Sequence, residues 1–361
     1  MNSRSPGAAA LRARGLAALL AVALACGCQP RDQAPHAYAA APAARSVEEA
    51  SRYEAWIGPR LDAVQAMLES SQRGVELVSR VLRARQPGSG VAAPAPEPAR
   101  AFVAGAAARA RRSLDGTMPL AGGDAEQQDL ARDVDAQVAR MLGAMDGLED
   151  ALPRVAGVGA SLGPLGPRDN LVLGAALARL LALQVRADSV FAALVLGLLT
   201  PDSDLLPERE LQSVRRGGNE ALLACLGQFQ DYGLRGAGAE ARGREVSALV
   251  DHQLDGLEAA RAKLDALRGA ASGLPAERRR ALDAVLRSYE DGIAAELDFL
   301  GTLAGFSRLV HAVDPAAPDA GPGLAAALDG ARRVTERLAA RLQANLDRLA
   351  VLDGIGAGRR T

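Results

Sequence analysis

Few residues in this 361-residue chain are of a type and spacing that could do chemistry. Asp251, His252 and Asp255 form the tightest grouping, with two carboxylates one helical turn apart on one face and an imidazole beside them. Such a trio could relay a proton or hold a cation. A di-iron bundle, however, uses Glu-x-x-His on two helices, and the positions three before His252 and His311 are Leu249 and Arg308. A zinc site needs a further His or Cys at ligand spacing, and the third histidine is His36, in an Ala/Pro-rich stretch. The expectation is a solvated face, with no metal and no cofactor. Cys225 falls on an apolar stripe; a nucleophilic thiolate needs a nearby base, so a buried, inert thiol is expected.

Arg179, Arg186 and Asp188 interrupt the most apolar helical stretch of the chain. Buried charges need partners. These three therefore either pair with neighbouring helices or line a ligand pocket between helices. Gly157-x-Gly159 lacks the preceding strand that a phosphate loop requires. Arg278, Arg279 and Arg280 read as exposed charge that could touch an anionic surface. No residue is assigned a catalytic role.

The remaining candidate chemistry is at the N-terminus. Arg4, Arg12 and Arg14 precede a short apolar core, Leu16 to Leu24, followed by Ala25-Cys26-Gly27-Cys28. That core is far shorter than the ~20 apolar residues that cross a hydrocarbon layer, so it reads as a cleaved export signal. Ala23-Leu24-Ala25 satisfies the small-x-small rule of ordinary secretion. Cys26 directly after it is the thiol that lipoprotein processing modifies, with Cys28 as the alternative acceptor. The junction resembles the lipobox of bacterial lipoproteins, with Ala23 where that pattern has a larger aliphatic residue and Leu24 one place late. This resemblance covers the signal and junction alone. It implies a diacylglycerol on Cys26, palmitate among its acyl chains, and a membrane partner. Gly27, where an Asp would favour inner-membrane retention, implies the periplasmic face of the outer membrane. Residues 29–45, rich in Ala and Pro, read as a flexible tether.

The elements carrying these residues follow from composition and period. Hydrophobic residues are 49% but aromatics only 3%, so the core must be Leu, Ala and Val, as in helix–helix interfaces and unlike β-sandwiches. The net charge of −1 disfavours nucleic acid as a partner. Lys263 is the only lysine, and Cys225 the only cysteine far from the N-terminus, which excludes a disulfide framework.

Helical period dominates after residue 45. Ser46-x-x-Glu49 is a capping box, and Gly58-Pro59 predicts a break or kink. Leu61, Val64, Leu68, Val75, Val78 and Leu82 form the first stripe, with Ser71 in one seat. A low-complexity linker is expected at 87–98 and a short helix from Ala99 to Leu114. Asp124 caps a helix carrying Leu130, Val134, Val138, Met141, Met145, Leu148 and Leu152, which the Gly/Pro-rich stretch 153–168 should end. Leu171 to Leu199 predicts a buried central helix. Pro207 opens the next, which Gly217-Gly218 should bend. Residues 233–243 predict a boundary, and 243–355 a C-terminal three-helix segment turning at 269–275 and 315–323.

The expected fold is all-α, an elongated antiparallel bundle of long helices, with 46–232 as its first unit after a 1–25 signal and a 26–45 anchor and tether. The expected role is that of a non-enzymatic envelope lipoprotein whose bundle serves as an interaction or structural module, with an envelope protein or a second copy as possible partner. A periplasmic ligand-binding or sensory bundle is the alternative.

Overall fold

The structure, a computed structural model, describes residues 47–84, 90, 92, 95–123, 125–160, 167–198, 206–232, 239–272, 275–312 and 320–358. The chain is all-α, without a strand among these residues. Eight helices are described: α1 (Val47–Ala84), α2 (Pro96–Leu114), α3 (Ala125–Ala160), α4 (Pro167–Leu198), α5 (Glu208–Tyr232), α6 (Ala239–Ala271), α7 (Ala276–Ala312) and α8 (Ala320–Gly358). The expected cap at Ser46, the residues of the expected signal and tether, and the expected cap at Asp124 lie outside the described residues.

Contacts close two rings that share one helix. In the first, α1 touches α2, α2 touches α3, α3 touches α4, and α4 returns to α1. In the second, α4 meets α5, α5 meets α7, α7 meets α8, and α8 returns to α4, with α6 lying outside against α5 and α7. Successive helices run in opposite senses. Arg186 of α4 meets Gln137 of α3 while Arg179 lies beside Gly147. Lys263 of α6 reaches Glu210 of α5 while Gln253 lies against Gly217.

The stripes largely face the core. Leu130, Val134, Val138, Met141, Met145, Leu148 and Leu152 are all buried. In the first stripe, Val75 is half-buried and Leu82, in the last turn of α1, is exposed. Trp56 is buried, with its ring centroid 5.5 Å from that of Tyr53.

Five expectations about chain breaks are corrected, the first by α2, which starts at Pro96, inside the expected linker 87–98, with proline in its first turn. Gly58-Pro59 does not interrupt α1, which runs through Pro59. Ile57, Gly58, Arg60 and Leu61 are buried around it, and Arg60 Nη1 donates to Trp56 O at 2.6 Å. Packing outweighs the lost backbone bond there. Nor does the Gly/Pro-rich stretch end α3 at residue 153. The helix continues past Pro153 to Ala160, with Val155, Ala156, Val158 and Gly159 buried. α8 starts at Ala320, inside the expected turn, because Pro322 falls in its first turn, where backbone N–H groups have no helical acceptor anyway. α6 starts at Ala239, inside the expected boundary.

Gly217 and Gly218 provide clearance between helices. A Cβ on Gly217 would lie 2.2 Å from the Gln253 amide, and one on Gly218 would lie 3.2 Å from Phe299. Gly74 does the same between α1 and α4, where a Cβ would stand 2.3 Å from Leu180 Cδ2. Close by, Ser71 Oγ donates to Leu180 O at 3.1 Å and accepts from Gln184 Nε2 at 3.2 Å.

These glycines make opposite predictions. Gly143 faces open space, so Gly143→Ala should raise stability by about 0.5–1 kcal/mol through helix propensity. Gly74→Ala should lower it, since overpacking a buried contact costs ~1–3 kcal/mol. Urea unfolding of the two variants, followed by circular dichroism, checks both signs.

A buried ion-pair network as the candidate functional site

The inward seats of the second ring are not all apolar. Along α5, Glu208, Gln212, Arg215 and Asn219 follow one another at alternating spacings of four and three, as do Arg341, Asn345 and Arg348 along α8. Glu296 takes the seat after Ile293 on α7, and Asp188 lies on α4. All are buried, with Asp188 at 0% exposure.

They form two linked clusters. In the first, Asp188 accepts from Arg215 Nε at 2.9 Å and from Arg215 Nη2. It also accepts from Asn219 Nδ2 at 2.8 Å and Arg341 Nη2 at 2.9 Å. Arg341 Nη2 donates in addition to Asn219 Oδ1, and Arg341 Nη1 donates to Glu296 at 3.3 Å. The Arg341 guanidinium lies 4.0 Å from the Phe299 ring centre, a favourable cation–π placement. In the second cluster, Arg348 holds Glu208 with two bonds, Nε at 2.8 Å and Nη2 at 3.0 Å. Gln212 Nε2 bridges Glu208 at 2.6 Å and Asn345 Oδ1 at 3.0 Å. Arg348 sits over Tyr289. Three arginines thus meet three carboxyls where α4, α5, α7 and α8 converge.

The electrostatics follow from burial against pairing. For Asp188 burial is the largest influence and pushes the carboxyl up, but Arg215, Arg341 and Asn219 together hold it below its ordinary value. Glu208 behaves alike: burial pushes up, and Arg348 and Gln212 bring the carboxyl below the usual range. Glu296 goes the other way, because burial outweighs Arg341 and Arg215. Tyr289 is raised by burial and by the charge of Glu208.

Of the three residues expected on α4, only Asp188 joins this network. Arg179 and Arg186 are half-buried and face α3 instead. Arg186 Nη1 donates to Gln137 Oε1 at 3.0 Å, and Arg179 lies against Gly147. Burial lowers both guanidinium values, aided by Arg154 for Arg179 and Arg140 for Arg186. The three residues are therefore divided between two helix interfaces. Asp251, His252 and Asp255 are exposed, as expected. Cys225 is fully buried, and burial pushes its thiol up to about 12 despite a hydrogen bond with Ser307. Among the described residues no three His, Cys, Asp or Glu are placed to hold a metal. Arg279 and Arg280 are exposed, and Arg279 donates to Ser272 O. Cys26 and Cys28 lie outside the described residues.

The sequence reading missed Arg215, Arg341, Arg348, Glu208 and Glu296. The signal was available in the spacing, since each continues the three-and-four alternation of an apolar stripe. An open groove of about 780 Å³ lies elsewhere, between α6 and α7, lined by Arg261, Leu264, Asp265, Arg268, Leu297 and Asp298 among others. In comparison with known proteins, the chain matches no family profile, and no curated protein or solved structure shows significant similarity to it.

Removing one partner of a buried ion pair leaves the other charge stranded in the core. Asp188→Asn should therefore cost ~3–5 kcal/mol of stability, while Asp251→Asn on the solvated face should stay within about 0.5 kcal/mol. Urea unfolding at neutral pH separates the two. Cys225 should stay unreactive toward an aromatic disulfide reagent in the native protein and react once urea unfolds it, since its thiol is buried and protonated.

Proposed function

We propose that this chain is an exported cell-envelope lipoprotein, tethered through Cys26, whose helical bundle is a non-enzymatic structural or interaction module. The observation that carries the reading is Cys26 itself, directly following a basic and then apolar stretch that ends in Ala25. The Ala- and Pro-rich residues 29–45 between this cysteine and α1 suit a spacer. No helix among the described residues is long and apolar enough to cross a membrane, which is compatible with attachment through an acylated cysteine.

The state of the interior also favours a structural role. Asp188 and Glu208 are consumed in ion pairs with Arg215, Arg341 and Arg348. The Cys225 thiol is held protonated by burial. The ligand-binding alternative has less support, because Arg179 and Arg186 face α3 while Asp188 is saturated by donors from α5 and α8.

Mass spectrometry of the mature protein, expressed in a bacterium that processes lipoproteins, tests the anchor. A chain beginning at diacylglyceryl-Cys26, and its shift from membrane to soluble fraction on Cys26→Ser, are expected. An unmodified Cys26 with a free amine would instead make this a soluble exported bundle. Crosslinking in the cell then identifies any partner, and a strict monomer with no crosslinked neighbour would sink the interaction role.

A further inference from the structure

The two acids that meet Arg341 are unequally served. Asp188 accepts from Arg215, Asn219 and Arg341. Glu296 accepts from Arg341 Nη1 alone among the described residues, at 3.3 Å, the long end of the hydrogen-bond range. Arg341 meanwhile donates through Nη2 to Asp188 and Asn219 Oδ1 and lies over the face of Phe299, and its Nε reaches no acceptor among the described residues. An ionised Glu296 would thus be a buried anion whose nearest cation is already shared.

The charged groups around it come from every neighbouring helix. α4 presents Asp188, which repels a second anion. α5 presents Arg215, and α8 presents Arg341 and, farther off, Arg348. α6 packs on the other flank of α7, where Arg261, Asp265 and Arg268 line the open groove with Glu290 and Asp298.

We propose that Glu296 is an internal proton-binding site: a neutral carboxylic acid in the core of the second ring, which takes up a proton as the bundle closes and releases it as pH rises. The single long hydrogen bond and the sharing of Arg341 with Asp188 carry this, and burial acts in the same direction. The sign follows from linkage. A carboxyl raised in the folded state contributes stability below its unfolded value, and that contribution is lost as pH climbs through its folded value. Asp188 and Glu208, both lowered, contribute stability above their unfolded values that is lost as pH falls through their folded ones. Stability is therefore bounded on both sides, with its maximum in mildly acidic solution. The part of the alkaline limb that sets in just above the unfolded carboxyl range belongs to Glu296. The raised Cys225 and Tyr289 add to it only above their own unfolded values. For a protein in contact with the medium outside the cell, the second ring would tighten on mild acidification and loosen toward alkaline pH.

Thermal unfolding of the full chain across a pH series, for the wild type and Glu296→Gln, tests this. The glutamine imitates the protonated acid. The variant should match the wild type in mildly acidic buffer, unfold at higher temperature in alkaline buffer, and keep the acid limb. An equal drop in Tm at every pH would overturn the proposal, because Glu296 would then be an ionised partner that Arg341 requires. Should the variant not fold, the wild type supplies the answer by itself. Unfolded by denaturant in mildly acidic, unbuffered solution, it should release about one proton beyond the baseline of an unfolded control. Release of none would overturn the proposal.

Discussion

A charge without water is the constraint on which this bundle turns. Asp188 has no exposed surface, and an unpaired carboxylate in such a place costs several kcal/mol. The fold must therefore bring cations to it, and it does so from α5 and α8, whose Arg215 and Arg341 lie 27 and 153 residues further along the chain. Asn219 fills a remaining acceptor direction, and the Glu208–Arg348 pair repeats the arrangement one to two turns away. Four helices are thereby tied at one level. A slide of α8 by a single residue would carry Arg341 off its seat, so these pairs specify register as well as neutralise charge.

Register needs specifying here because the rest of the core is permissive. Leu, Ala and Val repeat along every stripe, and aromatics make up only 3% of the chain. Such surfaces pack acceptably in several alignments. Two kinds of residue break the degeneracy. The buried charges admit one set of partners. The glycine notches admit one neighbour each: Gly74 receives Leu180, Gly217 receives Gln253, and Gly292 lies beside Arg348. The last case joins both devices, since a Cβ there would stand 2.6 Å from the Arg348 guanidinium. Similar logic operates in the first ring, where Arg60 reaches from α1 to Asp135 of α3 and stacks on Trp56.

Much of the fold was legible in the sequence because helical period is a local property. The stripes of α1 and α3 could be read residue by residue, and their seats are filled largely as expected. What was illegible depended on the context supplied by distant segments. Pro59 and Pro153 carry a local breaking tendency, and only the packing of other helices around them shows that it is outweighed. The same holds for the charged seats. Arg341 lies between Leu338 and Leu342, and an arginine in an apolar stripe usually marks the edge of a buried face. Its true place became visible only with Asp188 and Glu296 beside it. Asp188 was noticed because its own helix is so apolar; its partners sit on more polar helices, where one more charge attracts no attention.

The position of α4 as the one helix common to both rings has a consequence for how the protein is made. Chains emerge N-terminus first, so α1 to α4 can close their ring before the second exists. At that stage Asp188 lies on a flank still open to water, where a lone carboxylate is at home. Arg215 arrives next, and Arg341 only when nearly the whole chain has been synthesised. A first ring closed at that stage would be a template with a hydrated acid on its outer wall. The second is completed by the arrival of the final helix, which turns that acid from a surface group into the centre of the protein.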